Sequence, residues 1–182
     1  MPNKTHPKEL DNQIGILGEK APQWNIKRWI DEKGEICPRP IYVDDYLNTV
    51  LVMICFQAWC PKSHTTGFPS IQKLVRLYQE KEEVNFLAIQ TVFDCQDLNT
   101  IDHLKETQEK YKLSIPFGHD IGNAKTFDES NVLHNYRTGG TPWIIILDKK
   151  QKVIYNDFQI EVPTAQKIIK KASRRKWCFL RS

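Results

Sequence analysis

The chain has 182 residues, 40% of them apolar and 26% charged, which is enough to bury a core without cross-links. The longest apolar run, Val50 to Phe56, is too short to cross a bilayer, so no transmembrane segment is expected. A formal charge of +4 gives no reason to expect a nucleic-acid partner. Met1 to Lys20 is polar and lacks the hydrophobic segment of a secretory leader, so the expected compartment is the cytoplasm. A chain whose leader had been removed would look the same and would be periplasmic.

The first forty residues read as an irregular arm of a single domain spanning 1–182, with 1–17 as its flexible part. Gly18, Pro22, Gly34, Pro38 and Pro40 punctuate it, while Trp24, Ile26, Trp29 and Ile30 are apolar enough to lie back on a core with a short strand. Val50 to Gln57 is a continuous, β-branched-rich apolar run, the pattern of a strand covered on both faces. A helix follows, with Ile71, Leu74, Val75 and Tyr78 at helical spacing, kinked or restarted at Pro69. Val84 to Phe93 is a second buried strand. Strand, helix and strand in this order predict a right-handed crossover and a parallel pair.

Asn99 to Lys112 reads as a helix with Asn99 or Thr100 as its cap. Ser114 to Asp128, with Pro116, Gly118 and Gly122, reads as a loop region, and a short helix is expected over 129–136. Trp143 to Leu147 and Lys152 to Phe158 are strands joined too tightly to be anything but an antiparallel hairpin. Pro163 opens a last helix, whose apolar stripe is Ala165, Ile168, Ile169 and Ala172. Beyond that stripe the tail is basic (Lys167, Lys170, Lys171, Arg174, Arg175, Lys176, Arg181). It reads as a solvated helix face or as a surface for an acidic partner or membrane.

Five cysteines, Cys37, Cys55, Cys60, Cys95 and Cys178, are odd in number and scattered in spacing. They form neither a disulfide framework nor a zinc knuckle. In a reducing compartment the question is which thiol reacts. Cys55 lies inside a strand and reads as a small core residue.

Cys60 lies between a buried strand and a helix, in Trp59-Cys60-Pro61-Lys62-Ser63-His64. Unsatisfied N–H groups and the helix dipole favour a thiolate there. Lys62, and His64 if its ring is charged, would push the same way. Pro61 suits a first helical turn, and Trp59 is placed to shield the sulfur. The alternative is an inert cysteine at a strand end. Cys60 and His64 are four apart and could share a metal, but two ligands make a poor site. His119, Asp120 and His134 read as satisfied loop residues.

The stretch FQAWCPKSHTTGFPSIQKLVRLYQ resembles the active-site region of thioredoxin-like proteins. The nearest branch is the redoxin group, with the TlpA/ResA-type thiol-disulfide oxidoreductases and the alkyl hydroperoxide reductase/thiol-specific antioxidant proteins. Gly18, Ala21, Pro22 and Trp24 resemble the N-terminal arm of that branch. Tyr136, Gly140, Thr141, Pro142 and Asp148 resemble its segment in which a cis proline faces the reactive cysteine.

The resemblance implies an α/β thioredoxin fold: a central mixed sheet flanked by helices, an N-terminal arm, and an insertion before the third core strand. It implies a thiol-disulfide oxidoreductase with Cys60 as nucleophile and with Thr141 and Pro142 shaping a groove for a protein or small-molecule disulfide. No cofactor is implied. The Thr141–Pro142 bond can also be read without the resemblance, since a proline just before a strand cannot donate to a ladder.

Two departures matter. Ser63 stands where the family's second cysteine belongs, so a mixed disulfide cannot be resolved within the motif. Three explanations fit: a native monothiol enzyme that needs an external thiol of thioredoxin or glutathione type, a serine introduced in place of cysteine, or Cys95 as resolving thiol from the same sheet edge. The second departure is Gln57, which stands three residues before Cys60 where the peroxidase side of the family has Thr or Ser. This favours disulfide over peroxide chemistry and leaves Arg137 as a surface charge. A thiol-dependent peroxidase and a binding module that kept the fold without turnover are the competing readings.

Overall fold

In the computed structural model, which describes residues 14–122 and 130–174, every side chain of Val50–Phe56 is buried. The reason is visible in the alternation. Val50, Val52, Ile54 and Phe56 enter one apolar cluster, whereas Leu51, Met53 and Cys55 enter another. Side chains alternate between the faces of a strand, so a strand covered on both sides must be apolar throughout.

This strand is β2 of the six among the described residues, with β1 at Arg28–Ile30, β3 at Val84–Thr91, β4 at Phe117–Asp120, β5 at Trp143–Leu147 and β6 at Val153–Asp157. Their order across the sheet is β1-β4-β3-β2-β5-β6. β2 and β3 run parallel, with Phe56 opposite Gln90, so both chains leave the sheet at the same edge. β5 runs antiparallel to β2, with Cys55 opposite Trp143, and β6 closes the hairpin.

The two faces are covered differently. Helices α1 (Phe68–Tyr78), α2 (Ile101–Tyr111) and α4 (Val162–Ser173) send Phe68, Ile71, Leu74, Leu104, Ala165 and Ile169 into the first cluster. The second is covered by the N-terminal arm through Ile16, Ala21, Trp24 and Trp29, and by the five-residue helix α3 (Asn131–Asn135) with the adjoining Tyr136. Helices therefore flank both faces, three on the first and the short α3 on the second, where the arm with Trp24 and Trp29 supplies the rest of the cover.

Part of that cover comes from within the stretch 1–17, which the sequence marks as flexible. Ile16 is buried, the Gly15 N–H donates to Arg137 O, and the Gly18 N–H donates to Val153 O. The arm runs along β6, where the Val153 N–H donates to Glu19 O, and so occupies hydrogen bonds that a free sheet edge would expose. Residues 1–13 lie outside the described residues, as do Arg175, Lys176, Cys178 and Arg181.

A correction concerns the stretch 114–128. The sequence reads as loop where β4 forms, and β4 pairs with β3 in parallel and with β1 antiparallel. The signal is weak because Gly118 cannot be replaced by a strand-forming residue. A Cβ there would come within 2.8 Å of the Trp29 ring, which lies against it.

The helix after Cys60 also departs from a plain α-helix. Pro61 and Lys62 are helical, Ser63–Gly67 winds as a π-helical stretch, and α1 continues from Phe68 with Pro69 in its first turn. A proline has no N–H to offer the preceding turn, and a wider turn ahead of it absorbs that loss. Thr100 rather than Asn99 caps α2, accepting from the His103 N–H at 3.2 Å.

Candidate active site around Cys60

The sheet register places the site. Because Cys55 pairs with Trp143, the residues just before β5 pass the carboxyl end of β2 and arrive beside Cys60. There the Thr141 carbonyl accepts a hydrogen bond from Cys60 Sγ at 3.3 Å. The Thr141–Pro142 peptide bond is cis. Pro142 is buried, and Gly67 of the π-helical stretch packs so closely against it that a Cβ would lie 2.9 Å from Pro142 Cβ. The helix and the Thr141 loop thus close on the sulfur from two sides.

Cys60 is 8% exposed. Burial on its own raises a thiol's pKa. Here it is outweighed by the Ser63 and Thr141 hydroxyls and by the backbone N–H groups of Ser63 and Lys62, which together hold the Cys60 thiol below its ordinary value. Ser63 Oγ is fully buried and makes no hydrogen bond of standard geometry. We read it as a dipole beside the sulfur, free to turn its proton onto a thiolate. Lys62 acts through its backbone N–H.

His64 does something other than expected. Its Nε2 lies 2.6 Å from the Ala58 carbonyl, and its Nδ1 lies 2.9 Å from the Tyr111 hydroxyl. A carbonyl only accepts, so Nε2 carries a proton. Both ring nitrogens are engaged, which removes His64 as a metal partner of Cys60.

The remaining expected residues sit as follows. Trp59 is 40% exposed, and its indole N–H donates to Gln57 Oε1 at 3.1 Å. Pro61 is exposed at the start of the helix. Cys95 is exposed on the loop after β3, in a left-handed conformation, with Sγ 3.5 Å from Asp94 Oδ1. Loss of water and the carboxylates of Asp94 and Asp97 push its thiol up. Deep burial likewise pushes up the Cys55 thiol. His119 and Asp120 belong to β4. His119 Nδ1 meets Gln90 Oε1 at 2.7 Å, and Asp120 accepts from Ser130 Oγ and the Asn131 and Val132 N–H groups.

Asn99 is a site residue that sequence reasoning placed only at a helix start. It is buried. Its Oδ1 accepts from the Ala58 N–H at 2.8 Å, and its Nδ2 donates toward Gln57 Oε1, Asp94 O and Cys95 O. It ties the Cys60 loop to the Cys95 loop. Nothing in the local pattern marks it, because its partners on the Cys60 loop are 41 and 42 residues away in the chain.

A strand-to-helix turn bearing Cys60 at the carboxyl edge of a mixed sheet, faced by a cis proline, is the arrangement of a thioredoxin-like protein. Solved structures agree on the fold. A thioredoxin-like superfamily protein matches with a TM-score of 0.75 at 23% identity, covering 86% of this chain and 97% of the other. A thiol-disulfide isomerase from Corynebacterium glutamicum matches with a TM-score of 0.73 at 23% identity, covering 86% and 98%. A candidate thiol:disulfide interchange protein DsbE from Chlorobium tepidum matches with a TM-score of 0.63 at 14% identity, covering 87% and 98%. None of the curated proteins compared with the chain matches it. Residues 17–156 match the model of the AhpC/TSA family, and the chain belongs to that family.

Proposed function

We propose that this protein is a monothiol thiol-disulfide oxidoreductase with Cys60 as its nucleophile. The observation that carries the reading is the Cys60 environment, a nearly buried sulfur whose thiolate is favoured by hydroxyl and backbone N–H dipoles. The Cys60 thiolate attacks one sulfur of a substrate disulfide. A Cys60–substrate disulfide forms and the other substrate sulfur leaves as thiolate. With Ser63 in place of a second cysteine, an external thiolate of glutathione or thioredoxin type then attacks the mixed disulfide and restores the Cys60 thiolate. Cys95 is the internal alternative for that second step. Its raised thiol makes it the slower attacker at neutral pH.

The test is reaction with glutathione disulfide followed by peptide mass mapping. A persistent glutathione adduct on Cys60 supports the monothiol route, and S63C should release it. A Cys60–Cys95 crosslink would replace that route with an internal one. Absence of any adduct while the protein is folded would sink the proposal and leave a binding module in front. Membership of the AhpC/TSA family favours a second reading, a thiol-dependent peroxidase. It requires sulfenic acid at Cys60 after brief peroxide treatment. No helix among the described residues is long and apolar enough to cross a membrane.

A further inference from the structure

Ala58, two residues before Cys60, is held at both of its peptide groups by side chains. Its N–H donates to Asn99 Oδ1 at 2.8 Å, and its carbonyl accepts from His64 Nε2 at 2.6 Å. Both grips lead to the same helix. Asn99 immediately precedes the Thr100 cap of α2. His64 is held by Tyr111, the last residue of α2, whose hydroxyl lies 2.9 Å from His64 Nδ1 and 3.1 Å from His64 O. The rings of His64 and Tyr111 stack, and Tyr111 stacks in turn on Phe68 of α1.

We propose that Asn99 and His64 are positioning residues of the reactive centre, clamping Ala58 from opposite ends of α2 so that the turn bearing Cys60 stays seated on the helix terminus. The turn is short, with the Cys60 N–H donating to Gln57 O at 3.0 Å, so a displacement of Ala58 carries Cys60 with it. The donors that favour the Cys60 thiolate belong to Thr141 and to the first helical turn, and they are directional. A sulfur moved by a few tenths of an ångström loses part of each contact. The same Asn99 carboxamide reaches Gln57 Oε1, which also receives the Trp59 indole, so the clamp extends to the half-exposed Trp59 ring. His64 thereby acts through its geometry, by donating to a carbonyl, instead of by supplying charge to the sulfur.

The inference rests on the Cys60 reading above, and its test separates the two. Iodoacetamide alkylation of Cys60 is followed across pH, with peptide mapping, in wild type, N99L, H64F and Y111F. N99L keeps the volume and removes the polar grip. H64F keeps the stacked ring and removes the N–H, while Y111F removes a single hydroxyl. The clamp predicts that N99L and H64F each slow alkylation at pH 7 by about threefold to tenfold and move the profile to higher pH, since thiolate is the reacting form. Y111F should shift it less, in the same direction. N99L/H64F should be no slower than the slower single variant, because one broken side already frees the turn. Folded variants whose profiles superimpose on wild type would overturn the clamp while leaving the nucleophile intact. A wild-type profile at the ordinary thiol value would overturn both. If N99L does not fold, H64F and Y111F decide the question.

Discussion

Two loops leave the same edge of the sheet, each carrying one cysteine, and they treat sulfur in opposite ways. Cys60, after β2, is nearly buried and its thiol is held below the ordinary value. Cys95, after β3, is exposed and its thiol is pushed up. Exposure is commonly taken as the mark of a reactive cysteine, and here the exposed thiol is the less acidic one. What differs is the set of dipoles around each sulfur. Cys60 faces hydroxyls and the N–H groups of a helix start, whereas Cys95 faces two carboxylates. Loss of water raises both thiols and is the largest single contribution at each; the dipoles at Cys60 together outweigh it, whereas the carboxylates at Cys95 add to it.

The largest test of that contrast is removal of the favoured sulfur. C60S should reduce thiol-disulfide exchange to the uncatalysed level, measured with a small disulfide at neutral pH. C95S should leave the initial attack rate unchanged. Equal losses in both variants would erase the distinction between the loops. The next effect sharpens the role of the dipoles. S63A removes one hydrogen bond available to a charged sulfur, a contribution of about 1.5 kcal/mol, and should slow Cys60 alkylation at pH 7 by up to about tenfold. An unchanged rate would assign the whole effect to the backbone N–H groups.

A third test breaks the contact that joins the helix to the Thr141 loop. G67A places a Cβ at 2.9 Å from Pro142 Cβ and 3.1 Å from Ile54 Cδ1, both of them buried. Such overpacking costs about 1–3 kcal/mol, which outweighs the helix preference of alanine over glycine, about 1 kcal/mol. A lowered melting temperature together with a raised Cys60 pKa is the expected result. The same stability with an altered pKa would detach the packing from the chemistry.

The smallest effect is the pH dependence of stability. The Cys60 thiol has a lower pKa folded than unfolded, so between those two values the unfolded chain binds more protons and stability rises with pH. The contribution is complete above the unfolded cysteine value and lost as pH falls through the folded one. Denaturation of wild type and C60S across that window should show the difference growing toward alkaline pH. A difference that shrank would reverse the sign assigned to Cys60. The buried Cys55 works the other way, because its raised thiol resists ionisation in the folded state.

Legibility in the sequence follows the range of the interactions. Strand β5 was readable to the residue, and β2 to within one, because an unbroken apolar run has few other fates. β4 was not readable, because Gly118 is required by Trp29, which lies 89 positions earlier, and glycine carries no strand signal of its own. The motif around Cys60 was legible as a candidate site, since a cysteine at a strand-to-helix junction carries its electrostatics locally. The roles within the motif were less so. Lys62 and His64 were expected to act through side-chain charge. Lys62 acts through its backbone, and His64 turns its ring to Ala58 and Tyr111.

By itself the sequence determined the family resemblance, the central strands, the candidate cysteine and the serine at position 63 where the family has a second cysteine. Each of these is written in a short stretch of chain, where residue type and spacing already fix the physics. Only the tertiary structure decided that the second face of the sheet is covered by the arm, and that Thr141 meets the Cys60 sulfur across 81 residues. It alone joined Asn99, His64 and Tyr111 around one alanine. Those contacts depend on sheet register and helix packing, which bring distant residues within hydrogen-bond reach and leave no periodic trace in the order of the amino acids.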